Sequence, residues 1–265
     1  MKPVAVITGG ASGIGLATAR LLAARDHSLV LADIEPTALT AAVAELSATT
    51  ETIGVVTDVS KREAVVALAD ETMSRFGRVD VVFNNAGVAV NGPIVEMQHS
   101  DWKWQIDVNL WGPIHGVEAF LPHVIAGGRG GHMLFTASFA GLAPNVGLGP
   151  YCVTKYGVVA LAEVLHREVR EHNIGVSVLC PMRVATNIGS SERNRPVELG
   201  GADAPARVAD QSEENRDLAG RVLPVELVAE QVVAAIGTDR LYIVPHEESR
   251  GMVRRRFERI DRAFD

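Results

Sequence analysis

Cysteine is almost absent: two residues, Cys152 and Cys180, in a chain of 265, with no CxxC pair. They read as small buried apolar side chains in a reducing compartment, not as a disulfide. No basic surplus exists either. The formal net charge of −7 argues against a nucleic-acid-binding surface, which would be basic. No stretch approaches the ~20 consecutive apolar residues of a membrane span. The opening MKPVAVITGG has no long apolar h-region or cleavage site, so no signal peptide is expected, and the protein is expected in the cytoplasm. The eight histidines show no metal-ligand spacing such as HExxH, so no metal site is expected. No internal repeat of solenoid length is present.

What is there suits one domain. The chain is 47% hydrophobic and 22% charged, long enough to fold without staples, and residues 1–265 read as a single unit. Short β-branched runs alternate with helix-length segments. PVAVITG, SLVLAD, TIGVVTD, VDVVFNNAG, GHMLFTAS, GVSVLCP and RLYIVP read as strands. GIGLATARLLAAR, PTALTAAVAEL, SKREAVVALADETMSRFG and YCVTKYGVVALAEVLHREVREH read as helices. The third helix is expected to open with a capping box, Ser60 with Glu63, and to close near Gly77. Continuous apolar strands alternating with helices imply an α/β fold with a parallel sheet covered on both faces. Two stretches break the rhythm. Residues 187–224, poor in large apolar side chains, read as a substrate lid, a disordered segment or a tolerated insertion. The tail at about 248–264 reads as a helix with Val253, Phe257, Ile260 and Phe264 on one stripe and Arg254, Arg255 and Arg256 as a solvated face.

TGGASGIG, Thr8 to Gly15, falls between the first strand and first helix. Gly9, Gly13 and Gly15 permit a tight turn, close approach of a pyrophosphate, and close packing of helix on strand. The helix N-terminus then offers free N–H groups to the phosphates. Asp33 ends the second strand about 20 residues later, where an acid can bind the adenosine ribose hydroxyls. It would repel a 2′-phosphate, and Ile34 supplies no compensating cation, so NAD is favoured over NADP. Asp33 also has a plainer reading, as a turn residue before Glu35-Pro36.

In YCVTK, Tyr151 and Lys155 stand four apart and share a helix face. A free phenol, with a pKa near ~10, is a poor base at neutral pH. A neighbouring ammonium would favour the phenolate, and the pair could then move the proton of an alcohol while hydride leaves the carbon. Ser138, in FTASFAG, can hydrogen-bond the same substrate oxygen. Taken singly, Ser138 is a strand-end cap and Tyr151/Lys155 a surface pair.

TGGASGIG, NNAG at 84–87, Asn109 in DVNLWG, Ser138 and the Tyr151/Lys155 pair, in this order, resemble the short-chain dehydrogenase/reductase family over residues 3 to about 187 and the strand near 241–244. The resemblance implies a Rossmann-like doubly wound sheet of seven strands with helices on both faces. It implies a catalytic tetrad of Asn109, Ser138, Tyr151 and Lys155. The tyrosine would be the acid/base, the lysine would also bind the nicotinamide ribose, and the asparagine would hold a relay water. Asp58 and Val59 match positions that contact the adenine. Asn85, Ala86 and Gly87 match those beside the adenosine ribose and the central helix, and Thr186 matches the contact to the nicotinamide carboxamide. Ser12, Ile14, Pro181 and Val184 complete the set implied for the cofactor. One position departs from the family: Pro181-Met182 stands where Pro-Gly is usual, which puts the local backbone in doubt and suggests an apolar wall.

The positions expected around the reacting carbon, Phe139, Val146, Leu148 and Met182 with Asn145 as a polar anchor beside Ser138 and Tyr151, are mostly apolar. They favour a bulky or aromatic alcohol over a small hydroxy acid, with a small-molecule hydrophobic alcohol or ketone as the expected substrate. A weaker similarity, in LYIVPHEESRGMVRRRFERI, is to a subgroup with dehydrogenases of lignin-type benzylic alcohols. The helix from Tyr151 and the segment 111–125 are apolar on more than one face. In the family these helices pack across subunits, which implies a homodimer or homotetramer. The alternatives are an NADPH-dependent carbonyl reductase and, in another class, a dinucleotide-sensing binding protein on the same fold.

Overall fold

In Val4–Thr8 (β1) every side chain is buried. Val4 and Val6 enter one core while Ala5 and Ile7 enter another, the alternation of a pleated strand. A strand apolar on both faces has to lie inside a sheet covered on both sides. The computed structural model, which describes residues 2–201 and 220–265, has that arrangement. Ser28–Asp33 (β2), Thr52–Val56 (β3), Val81–Asn84 (β4), Gly131–Thr136 (β5), Ile174–Leu179 (β6) and Tyr242–Ile243 (β7) join β1 in an all-parallel sheet of order β3-β2-β1-β4-β5-β6-β7.

The principal helices are Gly13–Ala23 (α1), Pro36–Leu46 (α2), Arg62–Phe76 (α3), His99–Ile106 (α4), Gly112–Gly127 (α5), Gly149–Glu168 (α6), Val225–Ala235 (α7) and Arg250–Asp261 (α8). Leu68 of α3, Phe120 of α5 and Val158 of α6 fill the core on one face. Leu22 of α1, Leu39 of α2 and Val232 of α7 fill the other. This is the Rossmann-like doubly wound α/β fold. Its strand order reverses between β1 and β4, so the loops following both strands open a crevice at their carboxyl ends.

Two expectations are corrected. The capping box on α3 does not form: Lys61 precedes the helix and no side chain caps it. The Asp58 carboxylate instead accepts the Ser60 N–H at 3.0 Å, an Asx turn that uses Ser60 before the helix begins. Gly77 does close the helix, in the left-handed conformation at φ 65°. Second, the tail is helical, but none of its residues is buried, and Phe257 and Phe264 stay exposed. The last strand has only two residues. Arg256, expected in the solvated face, is half-buried with its guanidinium 5.1 Å from the Tyr156 ring. The start of the segment expected as a lid is folded, as 3-10 turns at Asn187–Asn194 and Val197–Leu199. Its end returns to its root through pairing of Leu223 with Val184. The middle of that segment, 202–219, lies outside the described residues.

Neither α4 nor α7 stood out as a helix in the sequence. In α4 the Asp101 carboxylate accepts the Gln98 N–H at 2.8 Å, and the helix runs through a π-helical turn, Asp107–Trp111, into α5.

Candidate active site

The first wall of the crevice is the glycine loop. Gly9 and Gly13 take positive φ, 63° and 53°, which a side chain would resist. A Cβ at Gly13 would also lie 3.2 Å from Thr186 Cγ2, so the segment after β6 closes down on the loop. Gly15 is needed for space: a Cβ there would collide with the Gly9 carbonyl oxygen. Asn85, after β4, ties the loop in place. Its Nδ2 donates to the Thr8 and Gly9 carbonyls (3.1 and 3.2 Å), and its Oδ1 accepts the Thr136 hydroxyl (3.0 Å). Ser12 precedes α1 without capping it, leaving the first N–H groups of that helix for an anion.

At the end of β2, Asp33 is a turn residue that also lines the crevice. Its Oδ1 accepts the Glu35 N–H at 3.1 Å and its Oδ2 the Ala11 N–H at 3.0 Å, and it still lines the crevice. Each oxygen keeps lone-pair capacity for a further donor. Facing it is a group that sequence reasoning missed. Arg193 Nη2 and Nε reach Glu35 Oε1 at 2.6 and 3.2 Å, joined by Asn194 Nδ2 at 3.0 Å. Hydrogen bonds from Arg193 and Asn194 hold the Glu35 carboxyl below the usual carboxylate range. The two partners lie 158 positions apart in the chain, so no local pattern signals the contact.

At the other end, α6 brings Tyr151 and Lys155 together. Lys155 is 2% exposed, its Nζ donates to the Thr136 carbonyl at 2.8 Å and stands 5.5 Å from the centre of the Tyr151 ring. A Cβ at Gly87 would lie 3.3 Å from Asn109 Oδ1 and 3.6 Å from Lys155 Nζ, so three elements converge where that glycine leaves room. Asn109 sits in the π-helical turn, a feature frequent at functional sites. Its amide is occupied: Oδ1 accepts the Val88 N–H and Nδ2 donates to the Val88 carbonyl, both at 2.8 Å. Ser138 Oγ accepts the Ala140 N–H at 3.1 Å and donates to the Pro181 carbonyl at 3.3 Å.

The electrostatics differ from the expectation that Lys155 would depress the tyrosine. Burial pushes Tyr151 up to about 12, with the hydrogen bond from Ser138 working in the opposite direction. Burial also lowers Lys155 to about 8, against an upward pull from Cys180. In the protein alone, loss of solvent is the largest influence, and the phenol holds its proton more tightly than a free phenol does. Cys152 and Cys180 are free and buried, as expected.

Most of the cofactor set lines one crevice: Gly9, Ser12, Gly13 and Ile14 of the loop; Asp33 and Ile34; Asp58 and Val59; Asn85, Ala86 and Gly87; Tyr151, Lys155 and Thr186. Gly15, Pro181, Val184, Asn109 and Ser138 are not part of that lining. Nor are the further substrate positions. Phe139 is 2% exposed, packed into the interior, whereas Val146 faces outward. The Asn145 N–H donates to Cys152 Sγ at 3.4 Å. Leu148 pairs with Gly92. Met182 is no wall of the crevice: its sulfur packs against the Gly220 backbone. Its own backbone has no positive φ, so the family's glycine is dispensable here. Its N–H donates to Nδ1 of the fully buried His246 at 3.2 Å. The apolar lining also includes Val88, Trp104 and Val108, none of which carried a motif. Among the described residues no helix is long and apolar enough to cross a membrane.

The glycine loop, Asp33 and the Tyr151/Lys155 pair thus open on one crevice, and the short chain dehydrogenase family model matches residues 3–196. The chain belongs to the short-chain dehydrogenase/reductase family. It is an oxidoreductase acting on CH–OH groups. It is 34% identical over 259 residues to a C alpha-dehydrogenase of Sphingobium sp. (strain NBRC 103272 / SYK-6), covering 97% of this chain and 85% of that protein. A short-chain dehydrogenase/reductase from Burkholderia phymatum in complex with NAD superposes with TM-score 0.89 at 38% identity, over 98% of this chain and 94% of the other. An alcohol dehydrogenase from the archaeon Thermococcus sibiricus complexed with 5-hydroxy-NADP superposes with TM-score 0.75 at 28% identity, over 91% and 95%.

Proposed function

We propose that this member of the family is an NAD-dependent dehydrogenase that interconverts a hydrophobic secondary alcohol, aryl or benzylic in kind, and its ketone, with Tyr151 as acid/base. The observation that carries the reading is that Lys155 stands beside the Tyr151 ring and, where Gly87 leaves room, close to Asn109, with Tyr151 and Lys155 in the crevice that also holds the glycine loop and Asp33. The residues fit a dinucleotide. The loop is open at Gly9 and Gly13, where a side chain would close it, and Asp33 keeps acceptor capacity for ribose hydroxyls. The α1 N-terminus would take the pyrophosphate and Lys155 the nicotinamide ribose.

NAD, when bound, supplies the hydride acceptor. The protein's part is proton transfer and positioning. Tyr151, protonated and hydrogen-bonded with Ser138, is set to give its proton to a carbonyl oxygen and, in the oxidative direction, to take one from the alcohol. Positive charge beside the ring favours the phenolate needed for oxidation, so alcohol oxidation is expected to speed up as pH rises. Solved relatives hold either NAD or an NADP derivative, so the choice of NAD rests on this chain's own Asp33 carboxylate. The benzylic class rests on the similarity to the C alpha-dehydrogenase and on the apolar Val88, Trp104 and Val108. Exposed Trp111, Val153 and Val164 on the outer faces of the central helices suit a homodimer or homotetramer in the cytoplasm.

Fluorescence titration with NADH and NADPH, joined to assay of Tyr151→Phe on benzylic alcohols, tests the proposal. Tight NADH binding, retained in the variant, with turnover lowered at least about 100-fold is the expected outcome. Binding of neither dinucleotide, or an active Tyr151→Phe enzyme, would refute it.

A further inference from the structure

Glu35 Oε1 accepts three N–H groups: Arg193 Nη2 at 2.6 Å, Arg193 Nε at 3.2 Å and Asn194 Nδ2 at 3.0 Å. One oxygen held by a guanidinium fork and an amide has the donor environment of a phosphate oxygen. This cluster is next to Asp33, whose carboxylate is bonded to the Glu35 backbone N–H, and Asp33, Glu35, Arg193 and Asn194 line the same crevice. We propose that Arg193 and Asn194 form a latent anion site at the adenosine end, occupied by the chain's own Glu35, and that Glu35 is thereby a determinant of NAD over NADP. The inference rests on the dinucleotide reading given above.

The guanidinium would stay in place without its partner. Arg193 Nη1 donates to the Asn187 carbonyl (3.2 Å), the Ser190 carbonyl (2.9 Å) and Ser190 Oγ (3.2 Å), all on its own 3-10 turn. That turn is anchored by Arg195, whose Nη2 meets Asp101 Oδ1 at 2.8 Å with both side chains nearly fully buried. Neutralising Glu35 leaves Nε and Nη2 only a weaker, uncharged acceptor that an anion can displace, while Nη1 keeps them aimed at the same position. A 2′-phosphate oxygen could then accept the bonds that Oε1 now accepts. Asp33 remains, and its repulsion limits the gain.

The test is NADH and NADPH titration of the wild-type protein, Glu35→Gln, and the double variant Glu35→Gln/Arg193→Ala, at low and high salt. Glu35→Gln is expected to shift the NADPH-to-NADH affinity ratio toward NADPH by about tenfold, the scale of one charge-assisted hydrogen bond. The shift should shrink at high salt, since the cluster is partly exposed, and vanish in the double variant. An unchanged ratio in Glu35→Gln, in a wild type that binds NADH, would overturn the inference and leave the dinucleotide reading intact. So would a shift that survives loss of Arg193. A wild type that binds neither nucleotide would overturn both, and one that already prefers NADPH would overturn Glu35 as a determinant along with the choice of NAD.

Discussion

Lys155→Met should make the protein more stable while disabling it. Lys155 is 2% exposed, and burial lowers its pKa from an ordinary 10.5 to about 8. At about 1.4 kcal/mol for every tenfold change in proton affinity, keeping the ammonium inside costs the folded state about 3 kcal/mol. Methionine is of similar length and carries no charge. It forfeits the hydrogen bond from Nζ to the Thr136 carbonyl, which offsets about 1 kcal/mol. The net expectation at pH 7 is a gain of about 2 kcal/mol, or a melting temperature higher by about 4–8 °C for a domain of this size. The pH dependence is the sharper part. Below pH 8 both folded and unfolded wild-type chains carry the proton, and the fold bears the full burial cost. Between pH 8 and 10.5 the folded protein sheds the proton first, so wild-type stability rises with pH and the advantage of the variant closes. Tyr151, raised to about 12, destabilises both proteins alike as pH climbs from 10 toward that value, and so cancels from the difference. Urea unfolding followed by tryptophan fluorescence at pH 7, 8.5 and 10 measures this. A variant less stable than wild type at pH 7, or a gap that does not change with pH, would show that the buried ammonium bears no such cost.

Two further substitutions test the frame of the site. Gly15→Ala drives a methyl into the Gly9 carbonyl and should cost about 1–3 kcal/mol with weakened NADH binding. Gly77→Ala meets no atom within 4 Å but has φ +65°, so it should cost about 1 kcal/mol and leave NADH binding alone; similar effects of the two on binding would count against close packing at Gly15. Arg195→Met leaves Asp101, 1% exposed, charged and without its guanidinium. Thermal and urea unfolding should show a loss of about 3–5 kcal/mol, and a loss below about 1 kcal/mol would mean that this pair does not anchor the turn after β6.

What could be read from the chain was local. The seven strands, the loop glycines and the cap at Gly77 announce themselves because periodicity and φ preference act over a few residues. Asn109, Tyr151 and Lys155 were legible as motifs, and a residue's place on a helix face follows from spacing alone. Apart from one local case at Ser60, the misreadings were decided at longer range. Ser60 and Glu63 have the spacing of a capping box, but the Asp58 carboxylate bonds the Ser60 N–H and the helix starts later. The tail has an apolar stripe, but whether a stripe is buried depends on a surface elsewhere that can cover it. Where Met182 lies, with its N–H on His246 and its sulfur beside Gly220, was set by segments remote in sequence. The tyrosine's proton affinity turned on how much water the fold removes around it, which composition and spacing do not report. Arg193 meets Glu35 across 158 positions, a juxtaposition that exists only once the segment after β6 has folded back over the crevice. Local geometry settled which elements form and which side chains share a face; burial and contacts between distant segments settled what those side chains touch and which protons they hold.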